Sequence, residues 1–174
     1  MSAWTLFGEG LKRFNLFMSY VSALLIVVCA GVFVYEVMTR YLIQISNDWV
    51  IELSIFMLIA ATFLAAAYTQ MERAHVGIEV LDEILSPRAN RWRYLVADAL
   101  SMLVCAYIAF KAWEYCSQAW SEGWRTGSTW APPLWIPYFF MGFGMSALVL
   151  QQLFQIVDDL LRPEIKPEHH YLGE

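Results

Sequence analysis

Four long apolar segments constrain the fold of this chain more than any other feature. The segments at 16–35 and 134–157 carry no charge. The segment at 53–70 follows Glu52 and is itself uncharged, and the segment at 94–110 contains one charge, Asp98. A helix needs roughly 18 to 20 apolar residues to cross about 30 Å of hydrocarbon. With 59% hydrophobic residues, the chain is also too apolar for an ordinary soluble domain. The bilayer is therefore its expected solvent.

We predict an all-α integral membrane protein with four transmembrane helices plus a short amphipathic cytoplasmic helix. One membrane domain is expected over residues 1–174, with a loose tail at 160–174 and spans at roughly 14–40, 49–71, 92–115 and 133–159. The amphipathic helix is predicted from "HVGIEVLDEIL", in which apolar residues recur at helical spacing and acidic residues share the other side.

The distribution of positive charge predicts the orientation, because Lys and Arg near a span are retained on the cytoplasmic side. Most of the eleven lie before the first span, between the second and third, or after the fourth: Lys12, Arg13, Arg73, Arg88, Arg91, Arg93, Arg162 and Lys166. Only Arg40, Lys111 and Arg125 lie at the other face. Both termini should therefore be cytoplasmic.

Composition and motifs argue against several classes of function. The net charge of −5 argues against a nucleic-acid partner. The three cysteines form no C-x-x-C motif, and His75, His169 and His170 all lie outside the spans. Haem between the spans would have no histidine ligands, and no zinc spacing is present. We expect no cofactor, no metal and no enzymatic activity.

Charged residues flank the first outer connection. Glu36 and Arg40 are spaced i, i+4 with the acid first, which favours an ion pair on a helix. They fall near the outer interface, where charge costs less than at the midplane. The position fits an anchoring pair or a tertiary link to Glu52. Coordination of an ion or substrate is the alternative.

Asp98 is the one charge that the sequence places clearly inside a span. A proton-coupled carrier could use such an acid. Alternatively, the carboxylate is bonded near the inner interface to Arg91, Arg73 or a partner's polar group. Two classes of function therefore remain open: a non-catalytic partner subunit, and a self-sufficient small carrier or ion channel that uses Asp98.

The region between the third and fourth spans contains turn residues and an aromatic cluster typical of an outer membrane interface. Five of the eight tryptophans lie there or just beside it: Trp113, Trp120, Trp124, Trp130 and Trp135. Lys111 and Glu114 are expected to form a further interfacial pair. Pro132 and Pro133 are expected to open the last helix and Pro137 to bend it.

Small residues in the second and fourth spans predict close helix contacts. Alanines line "AATFLAAAY", and "GFGMSA" contributes Gly142, Gly144 and Ser146. Such residues let helix backbones approach closely where lipid removes the hydrophobic driving force.

Taken in order, these motifs resemble those of the small four-helix membrane subunit, DctQ type, of tripartite ATP-independent periplasmic (TRAP) transporters. The likeness covers roughly residues 12–160. It rests on "RY" at 40–41, "DWVIELSIF" with Trp49 and Glu52, "AAAYTQMERAHVGIEVL" with His75, and "TGSTWAPPLWIPYFFMGFGM". The chain departs from the family pattern at Ile51-Glu52, where a double acid is common, and at Met141-Gly142, where Pro-Gly is common.

The resemblance implies a scaffold subunit of a secondary transporter in a bacterial inner membrane. A periplasmic substrate-binding protein would capture an organic acid, such as a C4-dicarboxylate or sialic acid. A larger membrane subunit, DctM type, would import it with an ion gradient, typically sodium. The expected anchoring or partner-interface residues are Glu36, Arg40, Trp49, Glu52, His75 and Asp98. The expected periplasmic docking residues are Arg125, Trp130 and Trp135.

Overall fold

Four long helices make up the described parts of the chain. The structure, a computed structural model, describes residues 3–44, 47–72 and 87–161. The helices are α1 (Ala3–Leu42), α2 (Asp48–Met71), α3 (Pro87–Ser121) and α4 (Trp135–Leu161). Each contains a segment long and apolar enough to cross a membrane. The predicted all-α membrane fold is confirmed, while the predicted amphipathic helix, His75 and residues 162–174 lie outside the described residues.

The first helix begins before the apolar segment that defines the span. Residues 3–13, which precede the predicted span at 14–40, are part of α1, whose 40 residues extend over about 60 Å. We call inner the helix ends that the charge distribution predicts to be cytoplasmic, and outer the opposite ends. The inner end of α1 packs against α4: the Trp4 ring stacks on Phe154 with centroids 4.9 Å apart, and Trp4 Nε1 donates to Asp158 at 3.0 Å. These contacts explain why the helix persists beyond the apolar segment.

The helices form an open layer in the order α1–α2–α4–α3. Each neighbouring pair in this order is in extensive contact, and α2 and α4 are the central helices. Within the apolar windows, 39% of α2 and 33% of α4 are buried, against 11% for each edge helix. Among the described residues, α1 and α3 do not pack extensively against each other. Much apolar surface on both edge helices is therefore left for lipid or another protein.

The central helices meet at a glycine. A Cβ placed on Gly144 of α4 would lie 2.6 Å from the carbonyl carbon of Phe63 and 2.7 Å from its Cβ. Ala60, Ala61 and Ala67 of α2 are also buried. The small residues thus permit the close approach that the sequence predicted.

The expectations for the prolines at the start of the fourth span were wrong. Because α4 begins at Trp135, Pro132 and Pro133 lie in the preceding loop. Pro137 is the third residue of α4, where a backbone N–H would have no acceptor within the helix. It therefore removes no helical hydrogen bond, and the reason for a bend at this position disappears.

Replacing Gly144 with alanine should separate α2 from α4 and destabilise the protein. Forcing a methyl group into a close backbone contact costs typically about 1–3 kcal/mol. Gly31→Ala is the matched control, because a Cβ at Gly31 of α1 meets no atom within 4 Å. Thermal unfolding in detergent should show a lower transition temperature for Gly144→Ala only. Equal transition temperatures for the two variants would contradict the close-packing role of Gly144.

Candidate functional site

The outer ends of α1 and α2 are joined by a polar cluster around Glu36. The Glu36 carboxylate accepts hydrogen bonds from the Asn47 backbone N–H at 3.3 Å and from Asn47 Nδ2 at 3.0 Å. Arg40 lies 3.3 Å from the same carboxylate, one helical turn away. Glu36 is buried, whereas the Arg40 side chain is largely exposed. The buried Glu36 carboxylate is thus bonded both within α1 and to the residue that precedes α2.

Asn47 is the residue of this cluster that the sequence analysis missed. It precedes α2 as its N-cap residue but makes no side-chain cap hydrogen bond. Its amide instead donates to Glu36 and, at 3.1 Å, to Thr39 Oγ1. An Asn immediately before an apolar segment predicts a helix start. Nothing in that local pattern indicates that the side chain turns back toward the preceding helix.

Trp49 and Glu52 lie on the first turns of α2, beside this cluster. The Trp49 ring packs against Tyr35 of α1 with centroids 6.3 Å apart. Glu52 is half-buried, and its Oε2 atom has no hydrogen-bond partner within the described part of the chain. Asn47, rather than Glu52, is the residue on the α2 side that is hydrogen-bonded to Glu36.

A repeat of buried polar side chains continues this connection down α1. Asn15, Ser22, Cys29 and Glu36 are all buried and lie seven residues apart. Ser22 donates to the carbonyl of Ala61 at 2.6 Å, and Cys29 lies 3.8 Å from the carbonyl of Ser54. We call these four residues the polar seam.

The partners of the polar seam show how the edge helix is held. Asn47, which precedes α2, and Ser54 and Ala61 within α2 are also seven residues apart, as expected for antiparallel helices packed with a seven-residue repeat. At the inner end, Asn15 Nδ2 donates to Gln151 of α4 at 2.7 Å. The heptad spacing was the available sequence signal, but the segment was interpreted only as apolar.

The outer loop between α3 and α4 is a compact hairpin-like turn. Arg125 forms an isolated antiparallel bridge with Pro133, and its Nη1 atom donates to the carbonyl of Ala131 at 3.1 Å. Ser128 Oγ accepts from the backbone N–H of Ala131, which has a positive φ of 46°. The guanidinium therefore helps to hold the loop in shape.

Tryptophans surround this loop. Trp130 is exposed, and Trp135 packs edge-on against Trp120 with centroids 4.9 Å apart. Beneath the loop is an apolar cavity of about 370 Å³, whose walls include Leu53 and Ile136. Trp113 was also expected in the outer aromatic belt, but its Nε1 atom donates to Ser146 Oγ at 3.1 Å, within the span of α4.

The remaining predicted residues do not join these two regions. Asp98 is half-buried and lies two residues after Val96, where the apolar window of α3 begins. It is thus at the inner end of the span, far from Glu36 along the membrane normal. Across the described ranges, no group of three or more His, Cys, Asp or Glu side chains gathers in a way suited to a metal ion.

Asn47→Ala should weaken the attachment of α1 to α2. The change removes the amide donor from a buried carboxylate, for which a loss of about 1–3 kcal/mol of unfolding free energy is expected. Thr62→Ala is the control, because Thr62 is exposed and its hydroxyl bonds within α2, to the carbonyl of Leu58. Thermal unfolding of the purified variants would measure the difference. A transition for Asn47→Ala that matches Thr62→Ala would exclude a stabilising role for the cluster.

The fold and its polar contacts define a multi-pass α-helical membrane protein whose edge helices are hydrogen-bonded to the central ones. Comparison with known families identifies which one. The family model of the DctQ component of tripartite ATP-independent periplasmic transporters matches residues 29–162. Because the match covers more than half of the chain, this protein belongs to the DctQ family. A comparison with curated proteins finds no match.

Proposed function

We propose that this chain is the scaffold subunit of a transporter that imports an organic acid. A larger DctM-type membrane subunit would carry a C4-dicarboxylate, sialic acid or similar carboxylate, driven by an ion gradient, with sodium as the proposed ion. A periplasmic substrate-binding protein would deliver the cargo. The DctQ family match is the observation that supports this most directly.

The contacts of the charged residues near the ends of the spans support a scaffold role. Glu36 and Arg40 form part of the connection between α1 and α2, and Asn15 of the same polar seam bonds to α4. We propose that Glu36 and Arg40, with Trp49 and Glu52, fix the outer ends of the helices. Asp98 lies at the inner end of its span, where a structural or partner contact is less costly than at the midplane. The proposal assigns the chain no enzymatic step and no cofactor.

Purification from the native membrane in mild, lipid-containing detergent tests the scaffold assignment. A tagged copy of this chain should retain a larger polytopic protein at one-to-one stoichiometry. A lone chain that instead supports solute or ion flux in liposomes, with flux abolished by Asp98→Asn, would contradict the proposal and favour a self-sufficient carrier or channel.

The outer loop is the proposed contact for the periplasmic protein. Arg125 helps to hold this loop, and the exposed Trp130 offers a large contact surface at the outer end of the layer. This proposal requires the loop to face the periplasm, with both termini in the cytoplasm of a bacterial cell and the spans in its inner membrane. The distribution of Lys and Arg supports that orientation.

Labelling of an introduced cysteine tests orientation and docking together. In spheroplasts, Trp130→Cys should react with a membrane-impermeant maleimide, and the periplasmic binding protein should reduce the reaction. Tyr41→Cys, at the exposed outer end of α1, is the control and should react equally with and without that protein. The unsubstituted chain measures background from Cys29, Cys105 and Cys116.

Failure of both introduced cysteines to react would overturn the proposed orientation. Equal reaction of Trp130→Cys with and without the binding protein would overturn the docking role of the loop while leaving the orientation intact.

A further inference from the structure

An ion pair lies deep within the membrane-spanning part of α3. Lys111 Nζ is 2.7 Å from Glu114 Oε2, so the pair predicted from the i, i+3 spacing is present. It was expected at the outer interface. Lys111 instead precedes the end of α3 at Ser121 by ten residues, which corresponds to about 15 Å of helix.

Contacts across the layer give the depth of this pair independently. Trp113, two residues after Lys111, would lie 3.2 Å from a Cβ on Gly142 of α4. Gly144, two residues after Gly142, meets Phe63, the sixteenth of the 24 residues of α2. Phe63 is therefore about 5 Å from the middle of α2, which lies near the centre of a membrane about 30 Å thick. Lys111 is therefore at the depth of the hydrocarbon rather than the headgroups.

The charged pair is on the side of α3 that faces away from the rest of the protein. The buried side of this part of α3 comprises Ala109, Ala112, Cys116 and Ala119. The opposite side forms a stripe at helical spacing, which we call the α3 outer face: Leu100, Val104, Tyr107, Lys111, Glu114 and Gln118. The side chains of Lys111 and Glu114 are 39% and 37% exposed.

Lipid is a poor covering for this face. Charged residues in membrane spans are costly when they meet lipid and nearly always face protein or water. The ammonium group of Lys111 is bonded to Glu114, one turn nearer the end of α3 at Ser121, and lies 5.8 Å from the centroid of the Phe110 ring. Gln118 adds a hydrogen bond to Glu114 at 3.5 Å, so polar groups continue along the face.

We infer that the α3 outer face docks against the large membrane subunit, which presents polar groups to Lys111 and Glu114. A subunit that moves a carboxylate and ions must itself hold polar groups at membrane depth, so it can match this face as lipid cannot. The position of α3 at the edge of the layer leaves room for it. The inference rests on the proposed function and adds which side of this chain meets the partner.

Photocrosslinking in the native membrane tests the docking face. A benzoylphenylalanine at Tyr107 should form an adduct with the large subunit. Tyr20 of α1 is the matched control: it is 67% exposed against 62% for Tyr107, and lies at the opposite edge of the layer. The helix contacts place the two tyrosines at similar depth. Tyr20 is two residues before Ser22, which bonds to Ala61 in the middle part of α2, and Tyr107 is six residues before Trp113, which lies against Gly142. The control should give no adduct with the large subunit.

A pair of neutral substitutions provides a second measurement. Lys111→Met combined with Glu114→Gln removes both charges and preserves side-chain length. Hydrogen bonds between membrane helices contribute about 1–2 kcal/mol in model peptides and less in some proteins. Retention of the large subunit on purification should therefore weaken roughly 3- to 30-fold. A monodisperse profile for the variant chain would show that its own fold persists.

The outcomes separate this inference from the proposed function. Three crosslinking results would overturn the docking face, even where the large subunit co-purifies. They are an adduct from Tyr20 but not from Tyr107, an adduct from Tyr107 to a second copy of this chain, and adducts with lipid alone. Undiminished retention of the large subunit by the double variant would overturn the role of the ion pair. Failure of the unsubstituted chain to retain any larger subunit would overturn the proposed function itself.

Discussion

The close contact between Gly144 and the backbone of Phe63 holds the two central helices together, and the rest of the layer is attached to them. Lipid tails are as apolar as leucine side chains, so burial of apolar surface provides little drive for helix association. Close backbone packing and hydrogen bonds must therefore stabilise the association of the helices. The glycine supplies the proximity, because any Cβ at this position would overlap the facing helix.

Hydrogen bonds hold the two edge helices in different ways. On one side, the polar seam fixes α1 through buried contacts that run from Asn15 to Glu36. On the other side, α3 is joined to α4 through Gln152, which donates to Ser101, and through Trp113, which donates to Ser146. These contacts lie on the side of each edge helix that faces the central helices. The opposite sides are consequently free to face lipid or another protein.

Charge placement distinguishes the two edges. The charged residues of α1 lie near its two ends, where water is close, and Glu36 is bonded within the layer. Lys111 and Glu114, which we place at hydrocarbon depth, lie on the outward side of α3. Such a pair is tolerated where polar groups cover it. The asymmetry is therefore the feature that directs our inference of a docking face toward α3 rather than α1.

The sequence alone determined the number of spans, the all-α class, the family and the small residues at helix contacts, because length, hydropathy and residue size are local properties. The Glu36–Arg40 and Lys111–Glu114 pairs were equally accessible, since i, i+4 and i, i+3 spacing implies proximity on one helix. Only the tertiary structure decided that Asn47 binds Glu36, that Arg125 holds its own loop, and that Trp113, two residues after Lys111, packs on Gly142. Those outcomes depend on how far each helix is shifted along its neighbours, which is set by side-chain contacts between segments distant in sequence.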